Sequence, residues 1–319
     1  MAPVSCRRKD GDNSLSLLDI VIINYNSTDY LLSCLKSIYD SLQELPAKVF
    51  VQDNGSRDHV ERVASVCPQA ILSKNSYNLG FAKAVNIALK QGTAPYAVIL
   101  NPDTCVQNDF FMVATQYMDE NPDVGIMGPR ILNADGSVQG SARAFPSPFT
   151  GLFGRSTFLT KWFPNNKISR RNVLTSRSDG VTPMEVDWVS GACMVVRREA
   201  VDDAGFLDER FFLYWEDTDW CKRIKASGWK VIYYPQASIV HYIGGSYEKS
   251  RVRSSVEFHK SAYRLFAKHA RGTQRLAKPL VMWVLALRLL LVISWNGLRR
   301  WTGRTNSHTG PQGSFAPDL

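Results

Sequence analysis

Apolar and polar residues follow two alternating periods along the first hundred residues. Residues 19–27 form an apolar run typical of a buried strand, and residues 29–39 carry Leu31, Leu35 and Ile38 at helical spacing. The same patterns continue as a strand at 48–51, a helix ending at Val66, a strand at 70–72, a helix over 78–89 and a strand at 96–100. This alternation predicts βαβ units and an α/β fold with a mainly parallel sheet.

The regular pattern is lost and then returns in the second half. Residues 143–180 mix Pro, Gly, Ser and basic residues with isolated aromatics, which predicts a functional loop or a partly disordered segment. Beyond them the pattern predicts a strand at 186–196, a helix from Thr218 closed by Gly228, strands at 231–234 and 238–242, and an amphipathic helix at 255–269.

Polar residues follow three of the predicted strands. Asn26, Asp53 and Asp103 come where strands end, and ligands of parallel sheets bind outside the carboxyl ends of the strands. Asp103 could hold a divalent cation, because Mg²⁺ takes one or two protein oxygens together with phosphate oxygens. The alternative is a simple turn, since Asn-Pro-Asp is good turn chemistry.

Two adjacent carboxylates precede the helix predicted from Thr218. Asp217 could accept a proton from an acceptor hydroxyl, or it could only cap that helix. Glu216 would then hold acceptor hydroxyls. The aromatic residues of 205–215 lie beside acidic ones, a combination that suits sugar rings with their apolar faces and hydroxyl edges.

His241 follows a predicted strand and precedes the small residues of 243–246. A lone histidine in this position is often structural. As a second cation ligand it would favour Mn²⁺ somewhat over Mg²⁺. The strand-end carboxylate Asp103 and the carboxylates before the helix together predict group transfer from a diphosphate-bearing donor.

Length and composition favour one large α/β domain with an appendage. The chain has 319 residues, and its six scattered cysteines show no metal-ligand spacing, which suits a reducing compartment. Residues 1–16 are polar and lack the apolar core of a signal peptide, so a cytoplasmic location is expected.

The net charge of +9 is concentrated near the C-terminus. Residues 249–304 contain thirteen Lys or Arg and one acidic residue, which predicts an anionic partner. Since no nucleic-acid motif accompanies the charge, an anionic membrane surface is favoured over nucleic acid.

The apolar run 280–295, with Arg288 at its middle, predicts a helix lying on the inner face of the membrane. A membrane span, packing on the catalytic domain and a homo-oligomer interface remain alternatives.

Seven segments in order resemble the inverting family 2 glycosyltransferases of GT-A fold. They are DIVIINYNS (19–27), VQDNGSRD (51–58), NLGFAKAVN (78–86), ILNPDT (99–104), VDWVSGACMVVRREA (186–200), GFLDERFFLYWEDTDWCKRIKASGW (205–229) and HYIGGS (241–246). Within the family they look most like bacterial rhamnosyltransferases of O-antigen and cell-wall polysaccharide assembly. The resemblance implies a Rossmann-like, mainly parallel sheet flanked by helices, followed here by a basic and apolar helical tail.

The resemblance also implies a role for each matching residue. The nucleotide-sugar pocket would contain Tyr25, Asn26, Asp53, Asn78, Gly80, Asn86, Asn101 and Asp103. The acceptor would meet Trp188, Gly191, Trp215 and Glu216. Asp217 would be the general base beside Glu216, and Asp103 and His241 would ligate Mg²⁺ or Mn²⁺. Asn101 departs from the family's DxD motif, which has Asp there.

The implied activity is inverting transfer of a sugar, with dTDP-rhamnose as donor, to a glycan or a polyprenyl-diphosphate-linked acceptor. The rival from another class is a non-catalytic scaffold that binds nucleotide sugars or glycans. The expected organisation is a disordered segment 1–16, a catalytic domain 17–250 with a nucleotide half (17–105) and an acceptor half (106–250), helices over 251–304, and a disordered tail 305–319.

Overall fold

The first half of the chain alternates strands and helices as predicted. The computed structural model describes residues 16–146, 172–242 and 251–301. Its elements up to residue 100 are β1 (Leu18–Asn24), α1 (Thr28–Leu42), β2 (Ala47–Asp53), α2 (Arg62–Val66), β3 (Ile71–Lys74), α3 (Phe81–Leu89) and β4 (Tyr96–Leu100). The predicted order of elements is therefore confirmed, with boundaries shifted by a few residues.

The second half continues the sheet and adds the C-terminal helices. Its elements are β5 (Thr104–Val106), α4 (Phe110–Glu120), β6 (Val124–Leu132), β7 (Ala142–Arg143), β8 (Met184–Glu185), β9 (Trp188–Val189), β10 (Cys193–Arg197), α5 (Arg198–Ala204), α6 (Glu216–Ala226), β11 (Lys230–His241), α7 (Arg251–His269) and α8 (Lys278–Trp301). Short 3₁₀ turns lie at Leu174–Arg177 and Gly272–Ala277.

Two strand predictions in this half are wrong in detail. The single strand predicted at 186–196 is two strands, β9 and β10, because a turn at 190–192 interrupts it. The two strands predicted at 231–234 and 238–242 are one strand, β11, with an irregularity in its pairing with β6 between Tyr234 and Ser238. Pro235 lies inside that irregularity, where its missing N–H would break a regular ladder.

The sheet is mixed but mostly parallel. Its order is β3-β2-β1-β4-β10-β6-β11-β5, with β8 paired to β11. The first four strands are mutually parallel, and so are β6 and β11, whereas β10 runs antiparallel to both of its neighbours. The carboxyl ends of β1, β2 and β4 therefore lie along one edge of the sheet. The predicted site residues Asn26, Asp53 and Asp103 lie at or just after these strand ends.

Helices cover both faces of the sheet, as the predicted α/β fold requires. One core contains Leu31 and Leu35 of α1 and Phe110 of α4, and the other contains Val85 of α3 and Trp220 of α6. The described residues do not include 1–15 of the predicted segment 1–16, the predicted tail 305–319, most of 143–180, or 243–246. The predicted domain boundaries remain predictions.

Candidate active site

The loop after β2 is tied to the end of β1. Asp53, the last residue of β2, accepts hydrogen bonds on its two oxygens from the Asn24 side-chain amide (3.0 Å) and the Ser56 N–H (3.1 Å). The Asn26 N–H donates to the Ser56 hydroxyl at 2.8 Å, from a left-handed backbone with φ 53°. Three predicted nucleoside residues, Asn26, Asp53 and the half-exposed Tyr25, are thus brought to one end of the sheet.

The start of α3 lies against the same loop. The Asn54 amide donates to Asn78 Oδ1 (3.1 Å), and Asn78 Oδ1 also accepts the Gly80 N–H (2.9 Å). Gly80 has φ 87°, and a Cβ there would lie 2.7 Å from the carbonyl oxygen of Phe212. Only glycine allows this close approach, which joins the start of α3 to the segment that leads to the carboxylates.

Asn86 makes a second link between α3 and that segment. Its side chain is buried and exchanges two hydrogen bonds with the backbone of Leu207, donating at 2.9 Å and accepting at 3.1 Å. It also donates to Glu209 at 3.1 Å. These contacts hold residues 205–215 in place, and the predicted contact of Asn86 with the ribose stays a prediction.

Asp103 and His241 meet at the end of the sheet. His241 is the last residue of β11 and pairs with Thr104 in β5, so the residue before Thr104 lies beside it. His241 Nε2 is 3.2 Å from Asp103 Oδ1 and 3.5 Å from the Asn101 side-chain amide, and both Asp103 and His241 are largely buried. The structure therefore brings these three predicted residues together.

This pair fits a divalent cation. Two ligands about 2.1 Å from an ion and at a right angle to each other are about 3.0 Å apart, close to the observed separation. Within residues 16–146, 172–242 and 251–301, no three His, Cys, Asp or Glu side chains cluster around one point. A site of two protein ligands leaves room for the diphosphate oxygens that Mg²⁺ and Mn²⁺ commonly take in such sites.

Asp217 lies in the first turn of α6. Its Oδ2 accepts the Gly191 N–H (3.0 Å) and its Oδ1 accepts the Thr218 N–H (2.6 Å). The helix begins at Glu216, so the predicted start at Thr218 is wrong and Asp217 is not the residue that precedes the helix. Burial raises the pKa of Asp217, while the hydrogen bonds from Gly191 and Thr218 act to lower it.

Glu216 has a different environment from its neighbour. Its side chain is 6% exposed, and its Oε2 has no hydrogen-bond partner among the described residues. Burial, and secondly the charge of Asp217, raise the pKa of Glu216 well above its usual value. Of the two, Asp217 has the donors that stabilise a carboxylate and Glu216 retains its proton more readily.

Aromatic side chains form a wall beside the two carboxylates. Tyr214 and Trp215, directly before Glu216, both have left-handed backbones, with φ 67° and 70°. The ring centre of Trp215 is 5.3 Å from that of Phe258 on α7 and 6.3 Å from that of Trp188 on β9. Two consecutive non-glycine residues in this conformation are strained, and such strain is concentrated at functional sites.

The turn at 190–192 joins the two groups of polar residues. The Asn101 N–H donates to the Ala192 carbonyl at 3.0 Å, and the next residue back, Gly191, donates to Asp217. A Cβ on Gly191 would lie 3.5 Å from the Asp217 Cβ. One short turn therefore contacts both the strand end that carries Asp103 and the helix that carries Asp217.

Helix α7 is fixed to α6 by a buried carboxylate. Asp219 is fully buried and is bound by Arg223 (2.9 Å), Lys268 (2.8 Å) and His269 (2.8 Å). Although burial raises the pKa of Asp219, its three basic partners lower it overall. The ionised Asp219 thus connects the C-terminal helices to the helix that carries Asp217.

Helix α8 packs on α7 through one face and exposes the other. Within the described residues, one helix, over Gly272–Trp295, is long and apolar enough to cross a membrane. The most exposed apolar side chains of α8 are Leu280, Met282, Trp283, Leu290, Leu291 and Trp295. Arg288 lies on the half-buried face, where its Nη1 is 2.9 Å from His259 Nε2 and its guanidinium is 5.7 Å from the Phe258 ring centre.

Two side chains near the site were not predicted as part of it. Gln139, between β6 and β7, contacts the ring of His241, and Phe258 adds to the aromatic wall. Gln139 lies in a short polar stretch without periodicity, so no sequence signal identifies it. Phe258 was predicted on the apolar face of the helix at 255–269, but periodicity cannot say what that face meets.

Polar side chains at the strand ends, the Asp103–His241 pair and the adjacent carboxylates Glu216 and Asp217 suit an enzyme that transfers a group from a nucleotide donor to a hydroxyl acceptor. The family described as "Glycosyltransferase like family 2" matches residues 17–264, and the chain belongs to it. The family resemblance predicted from the sequence is confirmed.

Known relatives agree with this assignment. An N-acetylglucosaminyl-diphospho-decaprenol L-rhamnosyltransferase of Mycobacterium tuberculosis is 32% identical, over 81% of this chain and 87% of that protein. The dTDP-rhamnosyl transferase RfbF of Shigella flexneri is 26% identical, over 70% of this chain and 68% of that protein. The crystal structure of GalNAc-T7 with UDP, GalNAc and Mn²⁺ has the same fold, with a TM-score of 0.58 and 13% identity over 83% of this chain and 50% of that one. The protein is a glycosyltransferase related to rhamnosyltransferases.

Proposed function

We propose that this glycosyltransferase moves rhamnose from dTDP-rhamnose to a lipid-linked acceptor in bacterial cell-surface glycan assembly. The observation that carries the proposal is the turn at 190–192, which contacts both Asn101 and the general-base candidate Asp217. The choice of donor and acceptor is supported by the names of the Shigella and mycobacterial relatives. Residues 17–250 would be the catalytic domain, and residues 251–304 would attach it to the membrane.

In this proposal Asp217 removes the proton from an acceptor hydroxyl as that oxygen attacks the anomeric carbon. The attack comes from the face opposite the nucleotide, so the configuration inverts and no covalent intermediate forms. Gly191 and Thr218 hold the Asp217 carboxylate in one orientation. Trp188 and Trp215 stack on the acceptor, and the buried carboxyl of Glu216 binds one of its hydroxyls.

The donor is held at the strand ends. Tyr25, Asn26 and Asp53 contact the nucleoside, while Asn78, Gly80, Asn86 and Asn101 lie towards the ribose and diphosphate. Asp103 and His241 would hold a divalent cation, which would supply Lewis-acid stabilisation of negative charge on the diphosphate leaving group. The Mn²⁺ bound in GalNAc-T7 supports a divalent cation of this kind but does not select between Mn²⁺ and Mg²⁺.

Helix α8 supports the proposed attachment to the inner face of the cell membrane. Its outward face carries large apolar side chains such as Trp283 and Leu290, and Arg288 points away from that face towards His259. An amphipathic helix with this distribution lies in the headgroup region of a bilayer. The same face would also fit a second copy of the chain, so the oligomeric state is measured alongside.

The first experiment is a donor panel. The full-length protein is incubated with dTDP-rhamnose and other nucleotide sugars, with a polyprenyl-diphosphate-linked N-acetylglucosamine as acceptor, and both hydrolysis and transfer are scored. We expect transfer from dTDP-rhamnose, and its loss in excess chelator.

Asp103→Ala and His241→Ala should each weaken binding of the donor. Transfer that persists in a metal-free preparation contradicts the cation site, and a preference for another donor contradicts the rhamnose assignment.

A further inference from the structure

Gln139 makes hydrogen bonds at both ends of its side-chain amide. The side chain is 6% exposed, and its Nε2 lies 3.0 Å from the carbonyl oxygen of His241 and 3.4 Å from that of Leu132. Its Oε1 lies 3.2 Å from His241 Nδ1. The Gln139 N–H donates to the Ile131 carbonyl of β6, the strand that pairs with β11, which places the amide beside His241.

The two carbonyl groups fix which way this amide points. A carbonyl oxygen can only accept a hydrogen bond, so the end of Gln139 that faces the carbonyls of His241 and Leu132 must be the NH₂ group. Oε1 is then the atom that faces His241 Nδ1, and Oε1 can only accept. The hydrogen of the neutral His241 ring therefore lies on Nδ1, and Nε2 carries a lone pair.

That lone pair faces the carboxylate of Asp103. Nε2 is 3.2 Å from Asp103 Oδ1, so in this tautomer the lone pair of Nε2 and a carboxylate oxygen lie side by side. An imidazole lone pair and a carboxylate oxygen are both ligands that a divalent cation such as Mn²⁺ accepts. The Asn101 amide lies 3.5 Å from the same nitrogen.

We propose that Gln139 is a positioning residue for the cation site. It selects the His241 tautomer whose Nε2 can bind a divalent cation beside Asp103, and it fixes the orientation of the ring. Partners of this kind behind a metal-binding histidine commonly change metal affinity by about 10- to 100-fold. The inference rests on the proposed cation site and adds the residue on which its affinity depends.

The first test measures Mn²⁺ binding by electron paramagnetic resonance, with full-length protein and a nucleoside diphosphate present. Gln139→Met keeps the length of the side chain but removes its hydrogen bonds, and we expect it to weaken Mn²⁺ binding by about 10-fold or more. Gln139→Glu keeps an acceptor opposite Nδ1 and should have an intermediate affinity. Gln116→Met is the matched control, because Gln116 is an exposed glutamine on α4 that bonds only to Glu120 in the described structure, and it should bind Mn²⁺ like the wild type.

The second test measures the ring tautomer in metal-free protein by ¹⁵N NMR, with the signals assigned by their loss in His241→Gln. We expect the hydrogen on Nδ1 in the wild type and a mixture of tautomers in Gln139→Met. Equal Mn²⁺ affinity in Gln139→Met and wild type, or a wild-type hydrogen on Nε2, would overturn the proposal. If the wild type binds no Mn²⁺ and transfers the sugar fully in chelator, the proposed cation site is wrong. If the wild type and Gln139→Met bind Mn²⁺ equally well, the cation site stands and only the role of Gln139 is wrong.

Discussion

At the scale of single residues, the two neighbouring carboxylates differ because their surroundings differ. Asp217 accepts two backbone N–H groups, whereas Glu216 is buried with an oxygen that has no partner among the described residues. The sequence suggested Asp217 as the base from its place near a helix start and from the family resemblance. The distinction rests on Gly191, which comes from a turn 26 residues away in the chain and which no local pattern connects to Asp217.

This difference predicts how Glu216→Gln changes stability with pH. A carboxyl whose pKa is raised on folding favours the folded state at low pH, and that contribution is lost as pH rises from the usual value of 4.5 towards the folded pKa. Glutamine has no proton to lose. We therefore expect the free energy of unfolding of Glu216→Gln, relative to wild type, to increase as pH rises from 4.5 to 8. Urea unfolding across this range measures it.

Asp217→Asn, run in parallel, is the control for the neighbouring position. The hydrogen bonds from Gly191 and Thr218 to Asp217 oppose the effect of burial on the pKa of Asp217. The difference in free energy of unfolding between Asp217→Asn and wild type should therefore depend less on pH. A constant difference between Glu216→Gln and wild type across the range would contradict the environment assigned to Glu216.

At the scale of elements, periodicity predicted the strands and helices well but not their partners. The strands β1, β2 and β4 are apolar runs followed by loops, and a parallel arrangement followed from the helices between them. The antiparallel placement of β10 between β4 and β6 could not be predicted, because nothing local in an apolar strand encodes its direction. The meeting of Asp103 with His241 depends on the pairing of β5 with β11, a contact between distant parts of the chain.

The partner of Arg288 on helix α8 is another contact that periodicity could not predict. The sequence placed Arg288 in the middle of an apolar segment, where it would oppose membrane contact. In the structure Arg288 meets His259, whose Nδ1 is 2.7 Å from the Ser255 carbonyl, so Nε2 is free to accept from the guanidinium. The exposed face is left without charge from Leu280 to Trp295, and the objection to membrane contact is removed.

The exposed face of α8 can be tested by substitution. The double change Trp283→Glu and Leu287→Glu puts charge on two exposed positions, and we expect it to release the protein from anionic liposomes while donor hydrolysis and the melting temperature stay near wild type. Deletion of residues 274–319 should release it in the same way. Cosedimentation with liposomes measures the binding.

Met112→Glu is the matched control for that test, because Met112 is an exposed apolar residue on α4 and its replacement should leave liposome binding unchanged. A double variant that still binds liposomes contradicts the assignment. A double variant whose oligomeric state changes instead identifies the face as an interface between copies. Wild-type protein that resists alkaline carbonate extraction would span the membrane rather than lie on it.

At the scale of the whole molecule, the C-terminal helices are connected to the helix that carries the proposed catalytic carboxylates. Lys268 and His269 of α7 bind the buried Asp219, one turn from the helix start, and Phe258 packs against Trp215. Since Phe258 also contacts Arg288 of α8, we propose that membrane attachment through α8 keeps the aromatic wall close to the membrane that holds the acceptor. The proposed donor site lies on the other side of the turn at 190–192, which contacts both Asn101 and Asp217.

The most direct test of the proposed function measures transfer from dTDP-rhamnose to a polyprenyl-diphosphate-linked N-acetylglucosamine in anionic liposomes. The anomeric configuration of the product is determined by NMR. We expect wild type to give the inverted product. Asp217→Asn should bind the donor normally but transfer about 10²- to 10⁴-fold more slowly, the usual contribution of a positioned base. A retained configuration, or normal transfer by Asp217→Asn with loss of transfer in Glu216→Gln, would contradict it.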